Sequence, residues 1–182
     1  MATIDLIVLG MLKKEALSAY DIQKLVEYRN ISRWVKISTP SIYKKVIQLE
    51  EKGLVSGVAV KEGKMPEKVV YSLTPAGEER FQRLMLEISG KPVLLLLDFN
   101  AVIVNLEYLA PDQQQTCLEH IEGQVKILKS YIEDNLSRKK ELPGIPSTGL
   151  AVLQQQLVLA QAIEAWITDL KDKADAAAAP EP

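Results

Sequence analysis

The stretch STPSIYKKVIQLEEKG, residues 38–53, decides the fold because it specifies a helix together with both of its ends. Thr39 is a residue type that caps helices, and Pro40 suits the first helical position. Gly53 can adopt the left-handed conformation that commonly follows the last turn. The pattern therefore predicts a helix that starts at Pro40 and stops just before Gly53.

This helix is amphipathic. Its apolar residues recur at i, i+4 and i+7 and form one buried stripe: Ile42, Val46 and Leu49. The other faces, expected to be exposed, carry polar and basic groups: Ser41, Lys44, Lys45 and Gln48. Because helix N-termini favour anions, Ser38, Thr39 and Ser41 are candidate donors to phosphates or base edges, and the two lysines can neutralise phosphates. Each also has a simpler interpretation, in which the hydroxyls only cap the helix and the lysines are solvated surface.

Two helices precede this one. Residues 4–12 are mostly apolar and predict a nearly fully buried helix. Ser18 and Asp21 have the spacing of a capping box, which starts a second helix over about residues 19–29.

A β-hairpin and a further helix follow. Residues 54–60 are rich in valine, residues 68–73 are a second β-prone run, and residues 62–66 between them are turn formers. Thr74-Pro75 opens the next helix. Two lysines of the hairpin loop are candidate contacts to a nucleic-acid backbone: Lys64 and Lys68.

This order of elements is that of a winged helix-turn-helix, in which the third helix enters the major groove and the hairpin contacts the backbone nearby. The predicted fold class is mainly α with a small β-hairpin. We expect a winged helix over residues 1–88, a helical dimerisation domain over 89–173 and a disordered tail over 174–182.

Residues 93–109 are strongly apolar, with 13 apolar residues in 17. Two interpretations stay open at this point. Either the whole segment is a helix sandwiched between two layers, or Asp98 caps a helix that follows an extended lead-in over residues 92–97.

Two long helices are predicted after this segment. The first begins at Pro111 and ends by Lys140, and its apolar residues step by 3, 4, 3 and 4 as in a coiled coil. The second runs from about Leu150 to Lys171. Because these surfaces are too apolar for an isolated hairpin, a partner subunit is the natural cover. The residues assigned to dimerisation are Leu118, Ile121, Val125, Leu128, Leu153, Leu157, Ile163, Trp166 and Ile167.

Composition narrows the function. Residues 1–85 hold 14 Lys+Arg against 10 Asp+Glu, net +4, whereas residues 86–182 hold 8 against 14, net −6, so only the first part is suited to a polyanion. A single cysteine, Cys117, and a single histidine, His120, argue against a metal centre, and no cofactor is expected. No nucleophile or phosphate-loop motif occurs, so an enzyme is rejected. No apolar run reaches the roughly 18 residues of a membrane span, and the N-terminus lacks an export signal, which predicts a cytoplasmic location.

Three segments resemble, in order and spacing, the motif blocks of the PadR-like transcriptional regulators: MATIDLIVLGMLKKEALSAYDI, STPSIYKKVIQLEEKGLV and VVYSLTPAG. Tyr20 matches a tyrosine of the first block, Ser41-Ile42-Tyr43 the start of the recognition helix, and Tyr71 to Gly77 the exit of the wing. The resemblance covers about residues 3–85. Ala19 departs from the usual glycine, and the wing is less basic than the family pattern, which implies weaker wing contacts.

The resemblance implies a cytoplasmic homodimer that binds double-stranded DNA at a pseudopalindromic operator as a repressor, with a small-molecule effector, often aromatic, whose identity is unknown. It favours tyrosine hydroxyls as phosphate contacts. With the residues above, the candidate DNA-binding set is Tyr20, Ser38, Thr39, Ser41, Tyr43, Lys44, Lys45, Lys64 and Lys68.

Three alternatives remain. The first alternative is that the winged helix serves as a protein-interaction module, because a net charge of +4 is modest for a DNA-binding domain. Trp34 and Trp166 either line an effector pocket or pack in a core, and core packing is favoured. His120 is either a pH sensor or an exposed helical residue, and the exposed residue is favoured.

Overall fold

The computed structural model describes residues 2–61, 67–142 and 145–178, with side chains as far as residue 174. It divides into two compact units, the first ending at Leu94 and the second beginning at Leu95. The α-helices are α1 (Ala2–Leu12), α2 (Ala19–Tyr28), α3 (Ser41–Glu51), α4 (Pro75–Ser89), α5 (Asn100–Ile103), α6 (Pro111–Lys140) and α7 (Ser147–Ala178). The strands are β1 (Leu17–Ser18), β2 (Val55–Val60) and β3 (Lys68–Leu73). Short 3-10 turns lie at Ile31–Arg33 and Leu106–Tyr108.

The first unit has the predicted winged-helix fold. Its sheet is antiparallel in the order β1-β3-β2, with Val55 opposite Leu73 and Val60 opposite Lys68. The two-residue strand β1 was not predicted, because Leu17 and Ser18 form too short a run to show a β pattern. Pairing of Leu17 with Tyr71 joins the start of α2 to the hairpin, so α2 and the wing share one sheet.

The local capping signals hold the helices of this unit where the sequence predicted them. The Ser18 Oγ accepts a hydrogen bond of 3.1 Å from the Asp21 N–H, and the Ser18 N–H donates to Asp21 Oδ2 at 3.3 Å. Gly53 has a φ of 68°, and the Leu54 N–H bonds to the Leu49 carbonyl at 2.9 Å, which is the geometry of a Schellman C-cap.

One capping prediction is wrong. Helix α3 begins at Ser41 rather than Pro40, which takes the N-cap position, and no side-chain capping bond forms there. The Ser41 N–H instead bonds to the Ser38 carbonyl at 3.0 Å, and the Ile42 N–H bonds to the Thr39 carbonyl at 3.1 Å. The turn before the helix satisfies these donors, so the Thr39 hydroxyl is not needed as a cap.

The core of the first unit lies where α1, α2, α3 and α4 meet the sheet. Helix α1 buries Val8, Leu9, Met11 and Leu12, and its other residues are only partly buried, so it is less buried than predicted. Trp34 is half-buried and packs against this core, as favoured above. The largest fully buried side chains of this core include Leu9, Ile22, Ile42, Leu49 and Leu84.

The second unit is a hairpin of α6 and α7. The first half of α6 packs on the second half of α7, so the two helices run antiparallel: Leu118, Ile121 and Val125 cluster with Ile167. The other half of the hairpin has a second cluster: Ile132, Leu136, Leu153 and Ala160. Ion pairs flank the seam, with Lys129 Nζ 2.6 Å from Glu164 Oε2 and Lys171 Nζ 2.7 Å from Glu122 Oε2.

This packing corrects the assignment of the seam to a subunit interface. The residues expected to face a partner are buried by α7 of the same chain: Leu118, Ile121, Val125, Leu153 and Ile167. Leu157 and Ile163 are partly buried in the same seam. Leu128 and Trp166 are exposed, and the Trp166 ring stacks on Phe99 with centroids 6.2 Å apart. The short connection between the helices brings the two stripes together within one chain, so no partner is required to cover them.

Residues 93–109 are neither one helix nor an inner layer. Residues 92–97 have no regular structure, as the second interpretation expected, but the N-cap of α5 is Phe99 rather than Asp98. Val93, Leu94, Leu95 and Leu96 are 65–87% exposed. Phe99, Ile103 and Leu106 pack on the α6–α7 seam, which anchors the segment to the second unit.

Helix α7 is longer than predicted at both ends. Residues 174–178, expected to begin a disordered tail, continue the helix to Ala178, and residues 179–182 lie outside the described residues. A run of alanines has high helix propensity, which explains the extension. Within the described ranges no helix is both long and apolar enough to cross a membrane.

Candidate nucleic-acid interface

Helix α3 presents most of its predicted polar residues to solvent. Ser41, Tyr43 and Lys44 are exposed on the helix, and Ser38 is exposed in the turn before it. Thr39 and Gln48 are half-buried. The buried stripe of Ile42, Val46 and Leu49 is as predicted, so α3 sits on the core with its hydroxyl and ammonium groups outward.

A groove of about 430 Å³ lies beside the N-terminus of α3. It combines the positive end of a helix dipole with hydroxyl and ammonium side chains, which is a favourable setting for an anion. Its polar lining comes from α1, α3 and the turn between α2 and α3: Thr3, Lys36, Ser38, Ser41, Lys44, Lys45 and Gln48. Lys36 was not predicted from the sequence as part of this site, although it lies only two residues before Ser38.

Lys45 does not face solvent. It is only 7% exposed, and its Nζ lies 2.8 Å from Oδ1 of Asp5 on α1. Lys45 lies three residues after Ile42 and one before Val46, at the edge of the buried stripe, and the long side chain reaches α1. The prediction that Lys45 neutralises a phosphate is therefore wrong, because its side chain is buried and its ammonium group is held against a carboxylate on α1.

Helix α2 adds an aromatic and basic surface. Tyr20 is exposed, and Lys24 Nζ lies 5.5 Å from the centre of its ring, in a cation–π contact. Lys24 also forms an ion pair of 3.0 Å with Glu27. The hydrogen bond to Glu27 and the charge of that carboxylate raise the pKa of Lys24.

The same hydrogen-bond network acts on the acidic partner. Gln23 and Lys24 donate hydrogen bonds to Glu27, and these lower the pKa of its carboxyl group. Lys24 was not predicted from the sequence as a site residue, although its position four residues after Tyr20 places both on one face of α2.

The wing, formed by β2 and β3, contacts the C-terminal end of α3. Lys68 is exposed at the first position of β3, and Lys64 lies outside the described residues. Glu50 accepts a hydrogen bond of 2.9 Å at its Oε1 from the Gly57 N–H, which ties the end of α3 to β2. Among the described residues no group of three or more His, Cys, Asp or Glu side chains is arranged to hold a metal ion, and His120 is exposed on α6.

A core of α1, α2 and α3, an outward-facing capped helix and a two-stranded wing define the DNA-binding winged-helix class. The profile of the "Transcriptional regulator PadR-like family" matches residues 8–83. This match lies within the first unit, and it confirms the resemblance to the PadR-like transcriptional regulators that was noted in the sequence.

Solved structures have the same fold along the whole chain. Bacillus subtilis PadR in complex with operator DNA superposes with a TM-score of 0.81 at 18% identity, over 94% of this chain and 99% of that one. The same protein in complex with p-coumaric acid superposes with a TM-score of 0.79 at 17% identity, over 94% of this chain and 95% of that one. A PadR-like regulator from Bacillus cereus gives 0.67 at 24% identity, over 96% of each chain. None of the curated proteins is similar enough in sequence to count as a match.

Proposed function

We propose that this protein is a sequence-specific DNA-binding regulator that inserts α3 into the major groove. The single observation that carries the proposal is the groove at the start of α3, where Lys36, Ser41 and Lys44 surround a helix N-terminus. Exposed hydroxyls at this position suit base edges, and the ammonium groups suit the flanking phosphates. The surface of Tyr20, Lys24 and Tyr43 adds contacts to the neighbouring backbone.

The wing is the second contact region in this proposal. Lys68 lies at the loop end of the hairpin, opposite Val60, and the bond between Glu50 and Gly57 ties the wing to α3. A wing held in this way can follow the phosphate backbone while α3 occupies the groove. The contribution of Lys64 stays a prediction from the sequence.

We further propose that the protein acts as a homodimer, with an interface different from the one the sequence suggested. The seam of α6 and α7 is covered within the chain, whereas four large apolar residues of the second unit are strongly exposed: Leu95, Leu96, Val104 and Tyr108. Exposed apolar surface of this kind is typical of interaction sites. Leu128 and Trp166 are exposed on α6 and α7 and are available to the same interface.

Repression by occupancy is the mechanism we propose, because a dimer bound across two grooves obstructs polymerase. The Bacillus subtilis PadR structure with p-coumaric acid supports a small-molecule effector for this chain as well, and p-coumaric acid is the first probe to use. A cytoplasmic location and the absence of a catalytic role belong to the same proposal. No residue is assigned to an effector site.

Nuclease footprinting on the region upstream of the protein's own gene tests this function. We expect two protected half-sites whose centres are about 10 bp apart, or a multiple of that distance, as two recognition helices of a dimer require. A protein-interaction module would protect no segment of this region.

A further inference from the structure

A buried ion pair joins the recognition helix to α1. The Lys45 and Asp5 side chains are 8% and 16% exposed, and 2.8 Å separate the Nζ from Oδ1. Both residues belong to the winged-helix unit, and Lys45 is the buried lysine of a helix whose neighbouring lysine, Lys44, is exposed.

Lys45 stands between the two faces of α3. At about 100° per residue, Lys45 is 60° from Ile42 in the core stripe and 40° from Ser41 on the polar face. The same groove is lined by Lys45, Ser41 and Gln48. Rotation of α3 about its axis would therefore separate Lys45 from Asp5 and displace Ser41 at the same time.

The energetics indicate that this pair is not needed for stability. Removing two charges from water is unfavourable, and replacing a buried ion pair by neutral residues of similar shape is often neutral or stabilising. Hydrophobic burial is not directional, whereas the attraction between two charges falls with their distance, so the pair favours the rotation of α3 that keeps Nζ and Oδ1 close. The pair is thus better suited to fixing the rotation of α3 than to holding the unit together.

We propose that Asp5 and Lys45 are positioning residues that set the rotation of α3 and thereby the discrimination between operator and other DNA. The inference rests on the proposed DNA-binding function. Neither residue contacts DNA in this account; they act through the placement of Ser41 and Lys44.

The test compares the full-length native chain with Asp5→Asn/Lys45→Met, which keeps the size of both side chains and the net charge. Affinity is measured for a footprinted duplex from the protein's own upstream region and for a scrambled duplex of the same length and composition. The control is Lys13→Met/Glu78→Gln, which removes an exposed ion pair of the same unit, also at constant net charge.

We expect the double variant to keep its thermal stability and its affinity for scrambled DNA, while the ratio of the two affinities falls about tenfold, the effect of losing one base contact. The control should keep the native ratio. An unchanged ratio in a folded double variant would overturn the positioning role.

A second variant covers failure of the first to fold. Asp5→Leu/Lys45→Met leaves neither a buried charge nor an unpaired buried amide, keeps the net charge and should also lower the ratio of the two affinities. Unfolding of both variants would assign the pair to stability and overturn the inference. Equal binding of the native chain to both duplexes would instead overturn the proposed function itself, so the two failures are distinguishable.

Discussion

Glu50 on the last turn of the recognition helix accepts a hydrogen bond of 2.9 Å from the Gly57 N–H in the wing. A Cβ at Gly57 would lie 2.6 Å from Glu50 Oε1 and 2.7 Å from Val69 Cγ1, so a side chain at this position would force these neighbours to move. The two DNA-contacting elements of the proposal are therefore joined by one side chain.

We expect Glu50→Ala to destabilise the first unit by about 1 kcal/mol, the net value of one hydrogen bond, and to loosen the wing. Affinity for operator and scrambled DNA should fall together, because the wing contacts the backbone. Denaturant unfolding and duplex titration measure the two effects. A fall confined to the operator would mean that the wing reads sequence.

The contacts around Gly77 explain why the third motif block ends in a glycine. The Thr74 Oγ1 accepts a hydrogen bond of 3.0 Å from the Gly77 N–H, and a Cβ at Gly77 would lie 2.0 Å from the Leu54 carbonyl oxygen. Gly77→Ala should cost at least about 2 kcal/mol, since backbone must move.

Gly123 provides the matched control for that substitution. It lies inside α6, and nothing stands within 4 Å of an added Cβ. Gly123→Ala should stabilise the chain by up to about 1 kcal/mol through helix propensity. Thermal melts that shift equally and in the same direction for both variants would contradict this account of Gly77.

Substitutions of Lys44 and Ser41 should distinguish phosphate contacts from base recognition. Lys44→Ala should weaken binding to operator and scrambled DNA alike and lower the salt slope by about 0.9, the value for one phosphate contact. Ser41→Ala should reduce the difference in affinity between the operator duplex and the scrambled duplex. Lys173→Ala, at an exposed position of α7, is the control and should change neither. An unchanged salt slope for Lys44→Ala would remove Lys44 from the interface.

The proposed dimer surface predicts a different outcome for two exposed apolar residues. Leu96→Glu should yield a folded monomer, because it introduces a charge into the surface proposed to be buried between subunits. Val158→Glu, at a position 54% exposed on α7 and outside residues 95–108, should leave the dimer intact. Light scattering measures the oligomeric state of both variants. A Leu96→Glu variant that is folded and still dimeric would exclude residues 95–108 as the interface.

Glu122 should make the α6–α7 hairpin sensitive to acid. Hydrogen bonds from Lys126 and Lys171 lower its pKa from 4.5 to about 2. Because the folded-state pKa is depressed, the stabilisation is complete above about pH 4.5 and is lost as the pH falls toward 2. Glu122→Gln should be less stable than the native chain at pH 7, with the difference vanishing near pH 2. A difference independent of pH would contradict the charge-based explanation.

The sequence predicted those features that local chemistry specifies. The capping box of Ser18 and Asp21, the left-handed Gly53 and the Thr74-Pro75 helix start each depend on a few adjacent residues, and all are present in the fold. A stripe such as Leu118 to Ile132 predicts burial, but periodicity does not state which surface provides the cover.

The features that the sequence did not predict depend on tertiary contacts. Lys45 lies at the border of two helix faces, and only the placement of Asp5 on α1 decides that it turns inward. Similarly, Phe99 rather than Asp98 starts α5, because packing on the α6–α7 seam outweighs the preference for a polar cap.

Binding of the native chain to a duplex from its own upstream region, against a scrambled duplex and over a series of salt concentrations, tests the central claim most directly. We predict tighter binding to the upstream duplex at every salt concentration, by about 10³-fold or more, with log affinity falling linearly with log salt. Equal affinity for the two duplexes, or binding that does not change with salt, would contradict the account.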